Sequence, residues 1–127
     1  MDEDVRNWVA ISEYDLGTAE VLLAGGRWLA VLVSCQQALE KILKALIADH
    51  SGEMPRRIHG LVELAMDADV EMSQEQKIIL SDLTIYYIET RYPTQFSGLE
   101  EDIDKEVATK ILEQTKEMSK WLRAKLQ

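Results

Sequence analysis

The stretch WLAVLVSCQQALEKILKALIAD, from Trp28 to Asp49, decides the fold. At about 100° per residue, its large apolar side chains form one stripe roughly 120° wide along a helix. The members of this stripe are Trp28, Val31, Leu32, Cys35, Leu39, Ile42, Leu43 and Leu46. Gln37, Lys41 and Lys44 are predicted on the opposite side, and Val33 and Ile47 widen the apolar surface. We therefore expect a helix that is central to a bundle, or one that buries a second face against another copy of the chain.

Helical periodicity continues through most of the remaining chain, and no strand alternation is visible. It breaks at Gly25-Gly26, at Ser51-Gly52, at Pro55 and at Pro93, where glycine or proline favours the end of a helix. The predicted fold is all-α, an up-and-down four-helix bundle with an additional short helix, in one domain over residues 1–127. The five predicted helices run from about Asp4 to Ala24, Trp28 to Asp49, Ile58 to Ala68, Ser73 to Thr90 and Ile103 to Leu126.

Composition narrows the class of protein. The net charge of −9 argues against broad nucleic-acid binding, which needs many cations on one surface, but it leaves room for a small basic pocket. The apolar runs are short and broken by polar residues, so no membrane contact is predicted. The start is acidic, unlike a signal peptide, and Cys35 is the only cysteine. A cytoplasmic location is therefore expected.

The end of the fourth predicted helix is the first candidate site. Its sequence is YYIETRYP, from Tyr86 to Pro93. Because proline cannot continue a helix, Arg91 and Tyr92 are expected at or just past the helix end, with Tyr87 one turn back. A guanidinium beside aromatic rings suits a phosphate with a base or sugar next to it. The alternative is an arginine that satisfies its own helix carbonyls, with tyrosines packed as core.

Asp15 is an anomaly in the first predicted helix, because it falls within the apolar arc. An unpaired buried carboxylate is unfavourable by several kcal/mol, so Asp15 needs a cationic partner or a wet cleft. Arg91 is the attractive partner. The alternative places Asp15 at the edge of the arc, where water solvates it.

The chain has two histidines. His50 ends the second predicted helix and is expected to be solvated, whereas His59 is expected to open the third. His59 is either a polar contact in the cleft near Arg91 or a capping and packing residue. No Gly-rich phosphate loop, Cys/His cluster or nucleophile elbow is present, so neither a metal nor a cofactor is predicted.

Several segments in order resemble the HEPN domain (higher eukaryotes and prokaryotes nucleotide-binding). The most specific is CQQALEKILKA, from Cys35 to Ala45, and the others surround it. These others are Asp15-Leu16-x-x-Ala19, Gly26-x-Trp28, Pro55-x-x-x-His59-x-Leu61 and Arg91-Tyr92-Pro93. His59 matches a histidine that is common in this family at the start of the third helix.

The resemblance implies a helical bundle that usually forms a homodimer. It also implies a frequent partnership with a minimal nucleotidyltransferase, often as a toxin–antitoxin pair. Many HEPN proteins are metal-independent ribonucleases with an Arg-x(4–6)-His motif, whose two copies face each other across the dimer. Arg91 matches the arginine, but none of the seven residues from Tyr92 to Gly98 is histidine.

Three hypotheses follow. In the first, the protein binds a nucleotide or RNA phosphate in a cleft built by Arg91, Tyr92, Tyr87 and Asp15, with His59 nearby. In the second, it is a metal-independent ribonuclease in which Arg91 acts with Tyr92 or His59 in place of the missing histidine. In the third, it is a non-catalytic dimeric scaffold in which Asp15 and Arg91 form a structural pair.

Overall fold

A computed structural model describes all residues from 1 to 127. The chain is all-α, as predicted, but it has one helix more than expected. The six helices are α1 (Glu3–Ala24), α2 (Trp28–Ser51), α3 (Leu61–Asp67), α4 (Gln74–Glu89), α5 (Pro93–Asp102) and α6 (Lys105–Arg123). None of them combines the length and the apolar character that crossing a membrane requires.

Helix α2 is central. Helices α1, α3, α4, α5 and α6 all contact it, and it is buried around most of its circumference. The first alternative from the sequence is therefore correct, because one chain alone surrounds this helix. Lys44 is predicted on the side opposite the apolar stripe, and the structure buries that side as well, since Lys44 is buried together with Gln36 and Glu40. Cys35 lies in the core, and burial raises the pKa of its thiol to about 11.

The additional helix, α5, begins at Pro93. Proline was expected only to stop the preceding helix, but it also suits the first position of a new one, where its missing N–H has no helical partner to lose. Tyr92 adopts the extended backbone that a residue before proline favours, with φ −114° and ψ 121°. Helix α4 therefore ends near Thr90, and the chain restarts as a helix within three residues.

Helix α3 is shorter than predicted. It begins at Leu61, so His59 lies in the loop before it and does not open it. Gln36 holds this loop, because its Nε2 donates to the His59 carbonyl over 2.7 Å. His50 is also less free than predicted, since its ring nitrogens lie 3.2 Å from the Ala68 carbonyl oxygen and 3.3 Å from that of Lys125. The expected capping box of Ser73 and Gln76 is present at the start of α4.

Candidate functional site

Arg91 lies just past the end of α4, where its side chain is exposed and packs on Tyr87. The guanidinium carbon is 4.0 Å from the centre of the Tyr87 ring, and Nη2 donates a hydrogen bond to the Tyr87 hydroxyl. Tyr87 itself is buried, so one turn of helix fixes the platform on which the arginine rests. The prediction that this helix end places a cation beside an aromatic ring is thus met in the geometry.

His59 contacts the same tyrosine. The two rings have their centres 5.8 Å apart and are tilted by 49°. Since Arg91 lies 4.0 Å from that ring, the guanidinium and the imidazole are separated by no more than the sum of these two distances. The His59 side chain is 56% exposed, so its imidazole is accessible from solvent.

Glu40 stands directly behind His59. Its Oε1 is 2.7 Å from His59 Nδ1, and Oε2 lies 2.9 Å from Lys41 Nζ and 3.3 Å from Lys44 Nζ. The carboxylate is almost fully buried. Burial would raise the pKa of Glu40, but the hydrogen bonds from His59 and Lys41 and the charges of Lys41 and Lys44 outweigh burial, so the pKa lies below its ordinary value. An ionised Glu40 holds the proton of His59 on Nδ1 and leaves Nε2 free as an acceptor.

Asp15 does not join this group directly. It is half-buried, forms no ion pair with Arg91, and does not line the cavity on which Arg91 lies. Burial raises the pKa of Asp15; the charge of Lys41 opposes that shift, and the charge of Glu40 adds to it. The predicted Asp15–Arg91 pair is therefore absent. Asp15 interacts through charge with Lys41 and Glu40 instead.

A substitution at Asp15 checks this environment. Because the folded-state pKa of Asp15 is raised, its ionised form opposes folding at neutral pH and this penalty disappears at low pH. The side chain is only half-buried and solvent screens its charge, so we expect Asp15→Asn to stabilise the protein by only about 0.5 kcal/mol at pH 7 in urea unfolding. The difference from wild type should vanish below about pH 3, where both side chains are neutral. A destabilised variant at pH 7 would show that the carboxylate is favourably paired.

A cavity of about 460 Å³ opens beside Arg91, between the start of α2 and one face of α5. Arg27 also lines it, and neither Arg27 nor Arg91 forms an ion pair with any carboxylate. Gly26 has φ 75°, a conformation that favours glycine, and this tight turn sets Arg27 at the N-cap of α2. Tyr92 lies next to the cavity in the chain; it is 57% exposed and its hydroxyl makes no hydrogen bond.

The start of α2 adds donors to this cavity. The first backbone hydrogen bond of the helix runs from Val31 N–H to the Arg27 carbonyl, and no side chain caps the preceding amides. The N–H groups of Trp28, Leu29 and Ala30 therefore remain free, and all three residues line the cavity. Free amides and the positive end of a helix favour an anion.

Sequence reasoning missed four residues of this region, Arg27, Glu40, Phe96 and Glu100. Glu40 had a detectable pattern, because Gln36, Glu40 and Lys44 recur every four residues inside an apolar helix and so share one face. Arg27, Phe96 and Glu100 had no such pattern, since their closeness to Arg91 depends on how α2 and α5 pack.

Comparisons with known proteins agree with the fold. The family model of the HEPN domain matches residues 5–125. The crystal structure of TT1696 from Thermus thermophilus superposes with a TM-score of 0.82 at 23% sequence identity, covering 98% of this chain and 100% of that one. This similarity shows the shared fold. No curated protein matches the sequence.

Proposed function

The chain belongs to the HEPN domain family, and on that premise we propose that it binds the phosphate of a nucleotide or of an RNA strand at Arg91. A nucleotide- or RNA-related function holds for the family as a whole. The observation that carries the proposal is the cavity beside Arg91, which is lined by two arginines without carboxylate partners and by the three residues at the start of α2 whose amides are free. Two arginines against the single carboxylate of Glu100 leave this cavity locally positive in a chain of net charge −9, which phosphate oxygens can use.

The platform of Tyr87 supports this assignment. An arginine packed on a buried ring loses less side-chain freedom when it binds than a freely moving arginine does. The guanidinium also has more donors than its one bond to Tyr87 uses, so several remain for phosphate oxygens. His59 contacts the same tyrosine ring, so the imidazole and the guanidinium share one aromatic platform.

Replacing Arg91 tests the proposal. We expect Arg91→Ala to lower the affinity for a fluorescein-labelled single-stranded RNA by about tenfold or more, since a charge-assisted hydrogen bond contributes roughly 1.5–3 kcal/mol. Fluorescence anisotropy at fixed salt measures the loss. The Tm should stay within a few degrees of wild type, because Arg91 is exposed and forms no ion pair.

Lys77→Ala is the control for this titration. Lys77 is an exposed cation at the other end of α4 and forms no ion pair, so its replacement changes net charge equally but leaves the site intact. Equal affinities of the Arg91→Ala and Lys77→Ala proteins would remove the proposed site.

A second candidate function is metal-independent RNA cleavage, and the hydrogen bond between Glu40 and His59 favours it. His59 Nε2 would take the proton of a ribose 2′-hydroxyl, whose oxygen then attacks the phosphorus. The bond from phosphorus to the 5′-oxygen breaks, leaving a 2′,3′-cyclic phosphate and a 5′-hydroxyl that takes its proton from solvent. Arg91 would stabilise the charge on the phosphate oxygens. His59 thus supplies a histidine that the sequence after Arg91 lacks.

We further propose that the protein is a homodimer and that a minimal nucleotidyltransferase is its partner, in a toxin–antitoxin-like pair. Dimerisation is common in the family. Support from this chain is the apolar surface of α4, where Ile78, Ile85 and Ile88 are each about half exposed. A groove of about 530 Å³ lies beside it, between α4 and α6, whose backbones do not approach each other closely. Sedimentation at several protein concentrations tests the oligomeric state.

A further inference from the structure

Helix α5 provides one wall of the Arg91 cavity. This wall carries an aromatic ring and a carboxylate, whereas the arginines line other parts of the cavity. Phe96 and Glu100 both line it, and their spacing of four residues places them on one face of α5. Phe96 is 41% exposed, so its ring is accessible from the cavity. An aromatic ring and a carboxylate therefore stand together opposite the start of α2.

The carboxylate of Glu100 has no partner within the chain. It forms neither an ion pair nor a hydrogen bond, even though Arg27 and Arg91 line the same cavity. A ligand can therefore engage the arginines and the carboxylate separately, with its anionic end at α2 and its N–H donors at α5. A phosphate alone leaves Phe96 and Glu100 unused.

We infer that this cavity is a nucleobase subsite, in which Phe96 stacks on the base attached to the phosphate held by Arg91 and Glu100 accepts hydrogen bonds from its edge. The inference rests on the proposed phosphate site. Stacking on an aromatic side chain contributes to binding for any base, because every base has a π-face. Glu100 adds a preference among bases, because an ionised carboxylate only accepts hydrogen bonds.

Guanine is the base that fits best. Its N1–H and its exocyclic amino group are neighbouring donors that match the two oxygens of one carboxylate. Adenine offers one amino group next to a ring nitrogen that is itself an acceptor, so a carboxylate gains one hydrogen bond and meets one repulsive contact. The cavity is therefore selective for guanine nucleotides and for RNA with guanine beside the bound phosphate.

Titrations of the full chain with GMP, AMP and inorganic phosphate test the subsite. For wild type we expect GMP to bind on the order of tenfold more tightly than AMP, and both more tightly than phosphate. Glu100→Gln should bring the two nucleotides within about twofold of each other, and Phe96→Ala should weaken both while leaving phosphate unchanged. The ratio of GMP to AMP affinity cancels the general effect of removing a negative charge.

Glu101→Gln is the matched control, because it changes the same charge on the same helix at a residue outside the cavity. It should keep the preference for guanine. Equal binding of GMP and AMP to wild type, or a preference that survives in Glu100→Gln, overturns the subsite. The phosphate site is tested separately. If Arg91→Ala abolishes phosphate binding, the proposed function stands even without the base subsite. If Arg91→Ala leaves phosphate binding unchanged, the proposed function itself fails.

Discussion

Replacing Glu40 by alanine should destabilise the protein by about 3 kcal/mol at pH 7, because it leaves the buried ammonium of Lys44 without its carboxylate. Glu40 is 1% exposed and holds Lys44, Lys41 and His59 together, so three side chains lose a shared partner. Urea unfolding followed by circular dichroism measures the loss. A change below about 0.5 kcal/mol would mean that the lysines reach water and that the network contributes little.

A double variant separates loss of the pair from loss of packing. Glu40→Leu alone strands the Lys44 charge, whereas Glu40→Leu with Lys44→Leu leaves no buried charge behind. We expect the double variant to recover most of the stability that Glu40→Leu alone loses, since well-packed apolar residues often replace a buried ion pair without loss of stability. A double variant as unstable as the single one would assign the loss to packing or to the His59 contact.

The same network sets a pH dependence. Because the folded-state pKa of Glu40 is lowered, its contribution is complete above its ordinary value of 4.5 and is lost as the pH falls through the folded-state pKa. The difference in unfolding free energy between wild type and Glu40→Ala should therefore shrink in acid. A difference that stays constant from pH 7 to pH 3 would contradict a lowered pKa.

RNA cleavage provides the second large effect. If the second candidate function is correct, wild type should cleave single-stranded RNA in EDTA, and His59→Ala should slow cleavage about 10²- to 10⁴-fold, the usual contribution of a general acid–base group. His50→Ala is the control, because the His50 ring lies at the C-terminal end of α2, where its nitrogens contact the carbonyl oxygens of Ala68 and Lys125. Product analysis should find 2′,3′-cyclic phosphate ends.

Two results would count against cleavage. Intact RNA after long incubation at high wild-type concentration removes the ribonuclease and leaves phosphate binding as the function. Equal rates for His59→Ala and wild type assign the activity to another group. Glu40→Gln refines the picture, because it keeps the size of the side chain but weakens the hold on His59, so a positioning role should move the pH profile of the rate.

The sequence predicted the helical core because periodicity reports burial directly. The predicted stripe is buried in α2 from Val31 to Leu46, with Trp28 partly buried against it, and the capping box at Ser73 marks the start of α4. Helix α5 was not predicted, because proline both ends a helix and suits the first position of one. Pro93 was interpreted only as the end of α4, although it is also the first residue of α5. Because no helix was predicted over these residues, the sequence did not indicate that Phe96 and Glu100 lie on one helix face.

The candidate site was predictable only in part. The helix end at Arg91 and the nearby Tyr87 follow from local sequence, since both lie on one turn. The place of Asp15 in an apolar arc predicts a cationic partner, but the packing of the helices brings its carboxylate near the charge of Lys41 and not into a pair with Arg91. His59 lies beside Tyr87 because Gln36 and Glu40 form hydrogen bonds to it and fix the loop. Hydrophobic periodicity does not predict such contacts between a helix and a loop.

Nitrogen-15 NMR of the Arg91 side chain tests the central claim most directly, because the Nε–H signal reports the environment of this one guanidinium. We expect this signal to shift in a saturable way as single-stranded RNA or inorganic phosphate is added, with little change at Arg6 or at Arg56, which Asp67 already pairs. The missing peak in Arg91→Ala assigns the signal. An Arg91 signal that stays in place while RNA binds elsewhere would contradict a phosphate site at the end of α4.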